Sequence, residues 1–262
     1  MRGSASPALW LRRFHPAPQA KVRLVCCPHA GGAAGTYFPA SAALSPDIEV
    51  LSVQYPGRQD RLSEPHVETV QELADHVLRA LLTFDDEADA PAPAPAAAAV
   101  PRLALFGHSL GASVAYEVAR RFEAAGGEPV ALFASGRRAP SMPHDGRSHL
   151  LGHDDFVDHV KNLGGSDPRV FEHEDLLELI LPSLRGDYKA ANTYSWVPGP
   201  RLGCPVHVLI ANEDPQVNEA QAAAWAGLTD GGCEVHRFPG GHFYLNERLG
   251  DVLELIRRVC LP

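Results

Sequence analysis

Ser109 lies in the run Gly107-His108-Ser109-Leu110-Gly111, which follows an apolar stretch at residues 103–106 and precedes a helical pattern. A serine between two glycines at such a junction is typical of a nucleophile held in a tight strand-to-helix turn. Gly107 and Gly111 fit this interpretation, because a Cβ atom would crowd the strand against the helix. The pattern therefore predicts a reactive hydroxyl at the edge of a sheet.

A serine hydroxyl is a poor nucleophile at neutral pH and needs a base, which in turn needs an orienting acid. His242 is the candidate base, since it lies in a glycine-rich loop after the last predicted strand. Asp214 is the candidate acid and Glu213 is the alternative, because both follow the strand predicted at 206–211. His207 and His236 lie inside predicted strands, from which they cannot easily reach Ser109.

Hydrolysis through such a serine also requires two backbone amides that bind the oxyanion. The amide of Leu110, directly after the nucleophile, is one candidate. The second should come from the loop after an early strand, and residues 27–32 form such a loop with two glycines. We assign the second donor to Ala30. The alternative is that these glycines only form a tight turn.

The elements that must position these residues alternate between short apolar runs and amphipathic helical patterns. This alternation predicts an α/β protein with a mostly parallel central sheet flanked by helices. The Gly-x-Ser-x-Gly turn between strand and helix indicates the α/β-hydrolase fold in particular. Strands are expected at residues 22–26, 48–53, 103–106, 130–134, 206–211 and 233–238, and helices at 66–82, 110–125, 218–228 and 246–259. Asn218 is a candidate N-cap, with Gln221 at the capping-box position.

Two segments interrupt this alternation within what we expect to be one domain over residues 1–262. Residues 85–99 are acidic and then rich in alanine and proline, which predicts a mobile surface loop. Residues 138–201 are too long for a simple connection and contain helical patterns at 154–163 and 173–194, the second interrupted by Pro182. We expect a helical lid over the carboxyl ends of the strands. The alternative is a helix pair that only thickens the fold.

Composition restricts the classes of partner. The net charge of −9 argues against nucleic acid and anionic membranes as partners. No apolar run is long enough for a membrane span or a signal peptide, so a cytoplasmic location is expected. The five cysteines lack a metal-binding spacing and are expected to be free thiols. His149 and His153, with His144 nearby, lack a carboxylate or cysteine that would complete a metal set, so no metal is expected.

Five motifs in sequence order resemble the stand-alone type II thioesterases of polyketide and non-ribosomal peptide synthesis. They are Pro-His-Ala-Gly-Gly at 28–32, Tyr-Pro-Gly-Arg-Gln-Asp-Arg at 55–61, the Ser109 motif, Leu-Pro-Ser-Leu-Arg-Gly-Asp-Tyr at 181–188 and Gly-Gly-His-Phe at 240–243. The resemblance implies Ser109 as nucleophile, His242 as base, Asp214 as acid, and Ala30 and Leu110 as the amide pair. Two departures from the family pattern are Gly186, where alanine is usual, and Ala211, where the acid loop usually has glycine.

The resemblance also supplies a substrate class. Such enzymes remove stalled or wrong acyl groups from the phosphopantetheine arm of acyl or peptidyl carrier proteins, which here would be separate proteins. No cofactor is expected, and a monomer is expected. Another esterase or acyltransferase of the same fold is the first alternative, since a serine triad does not distinguish these reactions. A non-catalytic binding protein that kept the scaffold is the second.

Overall fold

The structure is a computed structural model that describes residues 7–84, 101–165 and 168–261. The alanine- and proline-rich segment predicted to be a mobile loop at 85–99 lies outside these ranges. Within them, no helix combines the length and the apolar character that a membrane span requires.

A seven-stranded sheet forms the centre of the molecule and confirms the predicted fold class. The strand order is β1-β3-β2-β4-β5-β6-β7, with β1 antiparallel to β3 and every other neighbouring pair parallel. The strands are β1 Leu11–Arg12, β2 Val22–Cys27, β3 Ile48–Val53, β4 Arg102–His108, β5 Leu132–Ser135, β6 Val206–Ala211 and β7 Cys233–Phe238.

The predicted strands are all present, and the differences lie at their ends. The strand predicted at 130–134 begins later, because its ladder with β4 starts where Leu132 faces Leu105. The amide of Val130 donates outside that ladder, to the carbonyl of Leu103. The two-residue edge strand β1 was not predicted, since it is too short to show alternation.

Eight α-helices flank the sheet within the described ranges. They are α1 Pro7–Trp10, α2 Phe38–Leu44, α3 Val70–Leu82, α4 Leu110–Ala124, α5 His153–Leu163, α6 Glu174–Thr193, α7 Glu219–Ala223 and α8 Leu245–Cys260.

Capping decides where two of these helices begin. The prediction of a helix start at residue 66 is wrong, because the Thr69 hydroxyl accepts a hydrogen bond from the amide of Glu72 and α3 starts at Val70. The predicted capping box of α7 is confirmed by reciprocal hydrogen bonds between Asn218 and Gln221. The helix predicted at 218–228 is α-helical only to residue 223 and continues as the 3₁₀ helix Ala224–Leu228.

The sheet buries an apolar layer on each face. Alternate residues of β6 belong to opposite layers: Val206 and Val208 are part of the apolar cluster that includes α3 and α4, whereas Leu209 is part of the cluster that includes α8. All five cysteines are free, as predicted, and only Cys233 is not fully buried.

Residues 138–201 contain α5 and α6, which share a third apolar cluster of their own. The cluster consists of Phe156, Val157, Val160, Leu177, Leu181 and Leu184. The predicted interruption at Pro182 is wrong, since α6 runs continuously through it. Pro182 lacks an amide to donate within the helix, but buried Leu181 and Leu184 on either side keep both parts of α6 packed against α5.

Candidate active site

Ser109 lies between the end of β4 and the start of α4, at the centre of the sheet. Its backbone angles are φ 54° and ψ −115°, a conformation that side-chain-bearing residues rarely adopt. Strain of this kind persists only where the surrounding structure enforces it, and it concentrates at functional sites.

The two glycines around Ser109 are required by close backbone contacts. A Cβ atom on Gly107 would lie 2.1 Å from the carbonyl oxygen of Gly111. A Cβ atom on Gly111 would lie 2.0 Å from the carbonyl oxygen of Cys27. The crowding predicted from the Gly-x-Ser-x-Gly spacing is therefore confirmed.

His242 and Asp214 meet in loops that follow β7 and β6. Nδ1 of His242 lies 2.9 Å from Oδ2 of Asp214, and the two side chains are 2% and 0% exposed. The other carboxylate oxygen of Asp214 accepts a hydrogen bond of 2.7 Å from the amide of Gln216, which fixes its orientation. Glu213 is exposed, so Asp214 is the carboxylate that contacts the imidazole.

The second nitrogen of His242, Nε2, is buried and makes no hydrogen bond among the described residues. Ser109 and His242 line the same cavity, but no hydrogen bond joins the Ser109 hydroxyl to the imidazole within those residues. With Nδ1 paired to Asp214, Nε2 is the ring nitrogen that remains to accept a proton.

Two further histidines, His29 and His108, lie beside His242. The ring centroid of His108 is 4.9 Å from that of His242. Nδ1 of His108 lies 2.9 Å from the Ser135 hydroxyl, which in turn contacts the Tyr244 hydroxyl at 2.7 Å. Sequence reasoning did not single out these rings, although both stand inside the motifs around Ser109 and Ala30.

Burial keeps both of these rings uncharged. Burial, and then the nearby His242 ring, lower the pKa of His29 to about 4 and the pKa of His108 well below its ordinary value. At neutral pH neither ring therefore adds positive charge next to His242.

The loop that contains Ala30 is tied to α6. The amide of Gly31 donates a 2.7 Å hydrogen bond to Oδ2 of Asp187 on that helix. Arg58 donates to both oxygens of the same carboxylate, at 2.6 and 2.8 Å, and to the carbonyl of Gly32 at 2.9 Å. The Gly31 amide thus has a partner, whereas Ala30 lines the cavity.

This cavity has a volume of about 380 Å³ and lies between the strand ends and the 138–201 segment. The core contributes Ser109, His242 and Phe243, and the segment contributes Leu151, Tyr188 and Asn192 among others. A larger surface cleft, of about 730 Å³, contains none of the predicted site residues.

Arg137, two residues after the end of β5, also lines the cavity and was missed by sequence reasoning. Its guanidinium donates a 2.9 Å hydrogen bond to the carbonyl of Ala191 on α6, and burial lowers its pKa to about 9. A charged residue just beyond the carboxyl end of a buried strand is the signal that could have found it. Arg137 joins the sheet edge to α6 at the cavity wall.

The Thioesterase domain family model matches residues 22–260 of this chain. The chain belongs to the thioesterase family. It is 47% identical over 245 residues to Thioesterase PikA5 of Streptomyces venezuelae, covering 93% of this chain and 83% of that protein.

Solved structures of type II thioesterases are also similar to this thioesterase. BorB, from the borrelidin biosynthetic cluster, superposes with a TM-score of 0.83 at 41% identity and 96% coverage of both chains. YbtT, from the yersiniabactin pathway, superposes with a TM-score of 0.78 at 27% identity, covering 96% of this chain and 98% of that one. The resemblance to type II thioesterases is therefore confirmed, and this thioesterase is a thioester hydrolase.

Proposed function

We propose that this thioesterase removes stalled or aberrant acyl groups from the phosphopantetheine arm of separate acyl or peptidyl carrier proteins during polyketide or non-ribosomal peptide synthesis. The observation that carries the proposal is the buried Asp214–His242 pair on the cavity that Ser109 also lines. The pathways named for BorB and YbtT support the substrate class.

In this proposal Ser109 is the nucleophile, His242 the base and Asp214 the acid. Asp214 holds the proton of His242 on Nδ1, which leaves Nε2 to accept the Ser109 proton as the hydroxyl attacks the thioester carbonyl. The carbon–sulfur bond then breaks, and the carrier sulfur is a good leaving group because a thiol has a pKa of about 8.5. The proton on Nε2 passes to this sulfur, so His242 is neutral again for the second step. Water activated by His242 hydrolyses the acyl-serine and restores Ser109.

The amides of Leu110 and Ala30 are proposed to bind the oxyanion. Leu110 is the first residue of α4, where amides lack a partner within the helix and the helix dipole favours negative charge. In the other loop, Asp187 already accepts a hydrogen bond from Gly31, so Ala30 is the donor that remains free to face the cavity.

Residues 138–201 are proposed to act as a lid that limits the size of the acyl group. The support is that α6 contributes Tyr188 and Asn192 to the lining of the cavity that Ser109 also lines. Both polar and apolar side chains line this cavity, which suits an amide-rich arm that carries a short acyl chain. The five free thiols support a cytoplasmic location, where cysteines stay reduced.

Intact-protein mass spectrometry of acylated carrier proteins tests this function. The carriers should lose short acyl groups in the presence of the wild-type enzyme and keep them with Ser109→Ala. Ser113→Ala is the matched control, because Ser113 lies one turn along α4 and its buried hydroxyl makes no hydrogen bond within the described structure. That variant should retain activity.

Comparison with an oxygen ester of the same acyl group separates the alternatives. Turnover of the ester that equals or exceeds that of the carrier thioester would indicate a general esterase instead. Transfer of the acyl group to an acceptor other than water would indicate an acyltransferase. Failure of a fluorophosphonate to label Ser109 in folded protein would indicate a non-catalytic scaffold.

A further inference from the structure

Two histidines and a glutamate meet on β6 and β7, away from Ser109. His207 and Glu234 are directly paired across the two parallel strands, and His236 lies two residues further along β7 on the same face. His207 is near the amino end of β6, whereas Asp214 follows the carboxyl end of that strand. The cluster is therefore separated from the Asp214–His242 pair by most of a strand.

The three side chains place their donor atoms in a compact triangle. Nδ1 of His207 lies 3.0 Å from Nε2 of His236, and Oε2 of Glu234 lies 3.7 Å from each of these nitrogens. A point equidistant from the corners of this triangle lies about 2.0 Å from each atom, which is close to the length of zinc–nitrogen and zinc–oxygen bonds.

We propose that His207, Glu234 and His236 bind a divalent transition-metal ion such as Zn²⁺. Two imidazoles and one carboxylate are ligands that such ions favour over Mg²⁺ or Ca²⁺, which prefer sets of oxygen atoms. Three protein ligands leave a coordination position for water. Within the described residues this is the one group of three or more such side chains with metal-binding geometry.

The surroundings prepare the two imidazoles for coordination. Both histidine side chains are 12% exposed, and the His207 ring stacks on Phe133 with centroids 5.3 Å apart, which restricts its rotation. Glu234 is exposed and so leaves the ion a path from solvent. Arg258 adds a positive charge near both rings, and the Glu234 carboxylate offsets it.

The position of the cluster indicates a structural role for the ion. The strand β7 is at the edge of the sheet and pairs only with β6 among the described strands. An ion held by both strands would fix β7, whose carboxyl end leads into the loop that contains His242. Since the unfolded chain does not hold the three ligands together, binding should raise thermal stability.

Titration of the metal-free protein with ZnCl₂, followed by calorimetry and thermal unfolding, tests the site. We expect one equivalent to bind and the Tm to rise by about 5 °C when free Zn²⁺ exceeds the dissociation constant by roughly 100-fold. MgCl₂ should produce neither effect. Thioesterase activity without added metal should be unchanged in Glu234→Gln, because this residue is remote from the cavity.

Glu234→Gln should weaken Zn²⁺ binding by at least about tenfold, since one of the three ligands loses its charge. Because Glu234 is exposed, the substitution should leave the fold intact. His207→Gln should abolish the one-equivalent binding. His153→Gln is the control for adventitious binding to surface histidines and should bind like the wild type. The proposal is overturned if wild-type protein binds no Zn²⁺, or if Glu234→Gln binds it equally tightly.

Discussion

Arg58 and Asp187 are 129 positions apart in the chain and form a buried ion pair through two hydrogen bonds, of 2.6 and 2.8 Å. The same carboxylate accepts the amide of Gly31. One acidic side chain on α6 therefore fixes both the Tyr-Pro-Gly-Arg loop and the loop proposed to bind the oxyanion. This contact couples the position of the proposed lid to the position of the Ala30 amide.

Asp187→Asn should impair both stability and turnover. The substitution leaves Arg58 buried without its counter-charge, which costs about 3 kcal/mol in free energy of unfolding. It also loosens the Gly31 loop, so kcat should fall by about 10- to 1,000-fold through a misplaced oxyanion donor. Urea unfolding and carrier deacylation measure the two effects.

Lys189→Gln is the matched control for that variant on the same helix. Lys189 forms an exposed ion pair with Glu68, so its loss should change the free energy of unfolding by less than about 0.5 kcal/mol. Equal effects of the two substitutions would contradict a special role for the buried pair.

Asp214→Asn should be far more damaging than Glu213→Gln. The amide of asparagine can donate to Nδ1 of His242 and stabilise the wrong tautomer, so kcat should fall by about 10²- to 10⁴-fold. Glu213 is exposed, and its replacement should leave kcat nearly unchanged. Steady-state kinetics with one acyl-carrier substrate compare the variants, and the reverse ranking would make Glu213 the acid.

Acid should destabilise the protein over a pH range that the pKa shift of His29 defines. Its pKa is about 4 in the folded protein and about 6.5 as an unperturbed side chain, so the unfolded state binds more protons between these values. Stability is therefore lost as the pH falls from about 6.5 towards 4, and His29 should account for about 2–3 kcal/mol of that loss at its lower end.

Urea unfolding of wild type and His29→Gln at pH 7 and pH 4.5 measures this contribution. The variant should lose less stability than the wild type over the same interval. His108, which is also held neutral by burial, keeps part of the acid sensitivity in both proteins. An identical loss in both would show that His29 is protonated without cost in the fold.

Replacing glycine by alanine should have opposite effects on stability in the turn at Ser109 and in an ordinary helix. Gly107→Ala places a Cβ atom 2.1 Å from a backbone carbonyl that cannot move away, so active protein should not form. Gly250 in α8 is exposed, and an added Cβ would meet no atom within 4 Å beyond the neighbouring backbone of its own helix, so Gly250→Ala should stabilise the protein by about 0.5–1 kcal/mol. Thermal unfolding and fluorophosphonate labelling report both results, and a folded, fully labelled Gly107→Ala protein would contradict the crowding.

Local sequence patterns were sufficient to predict most strands of the sheet. The run 206–211 matches β6 to the residue, because a strand buried on both faces is nearly continuous in hydrophobicity. The strand predicted at 233–238 also matches β7 to the residue, although this partly exposed edge strand carries polar side chains. Element ends were less predictable, as at Val70, since a cap depends on one side-chain hydrogen bond. Pro182 misled the prediction of α6, because packing against α5 overrides local propensity.

The sequence by itself determined the fold class, the turn around Ser109 and the order of serine, acid and histidine along the chain, since each depends on neighbouring residues or on spacing. Only the tertiary structure decided that Asp214 rather than Glu213 contacts His242, that Asp187 occupies the Gly31 amide, and that His207 meets His236. These contacts join residues between 28 and 156 positions apart. Groups that far apart in sequence come within hydrogen-bond distance only when the whole chain has folded.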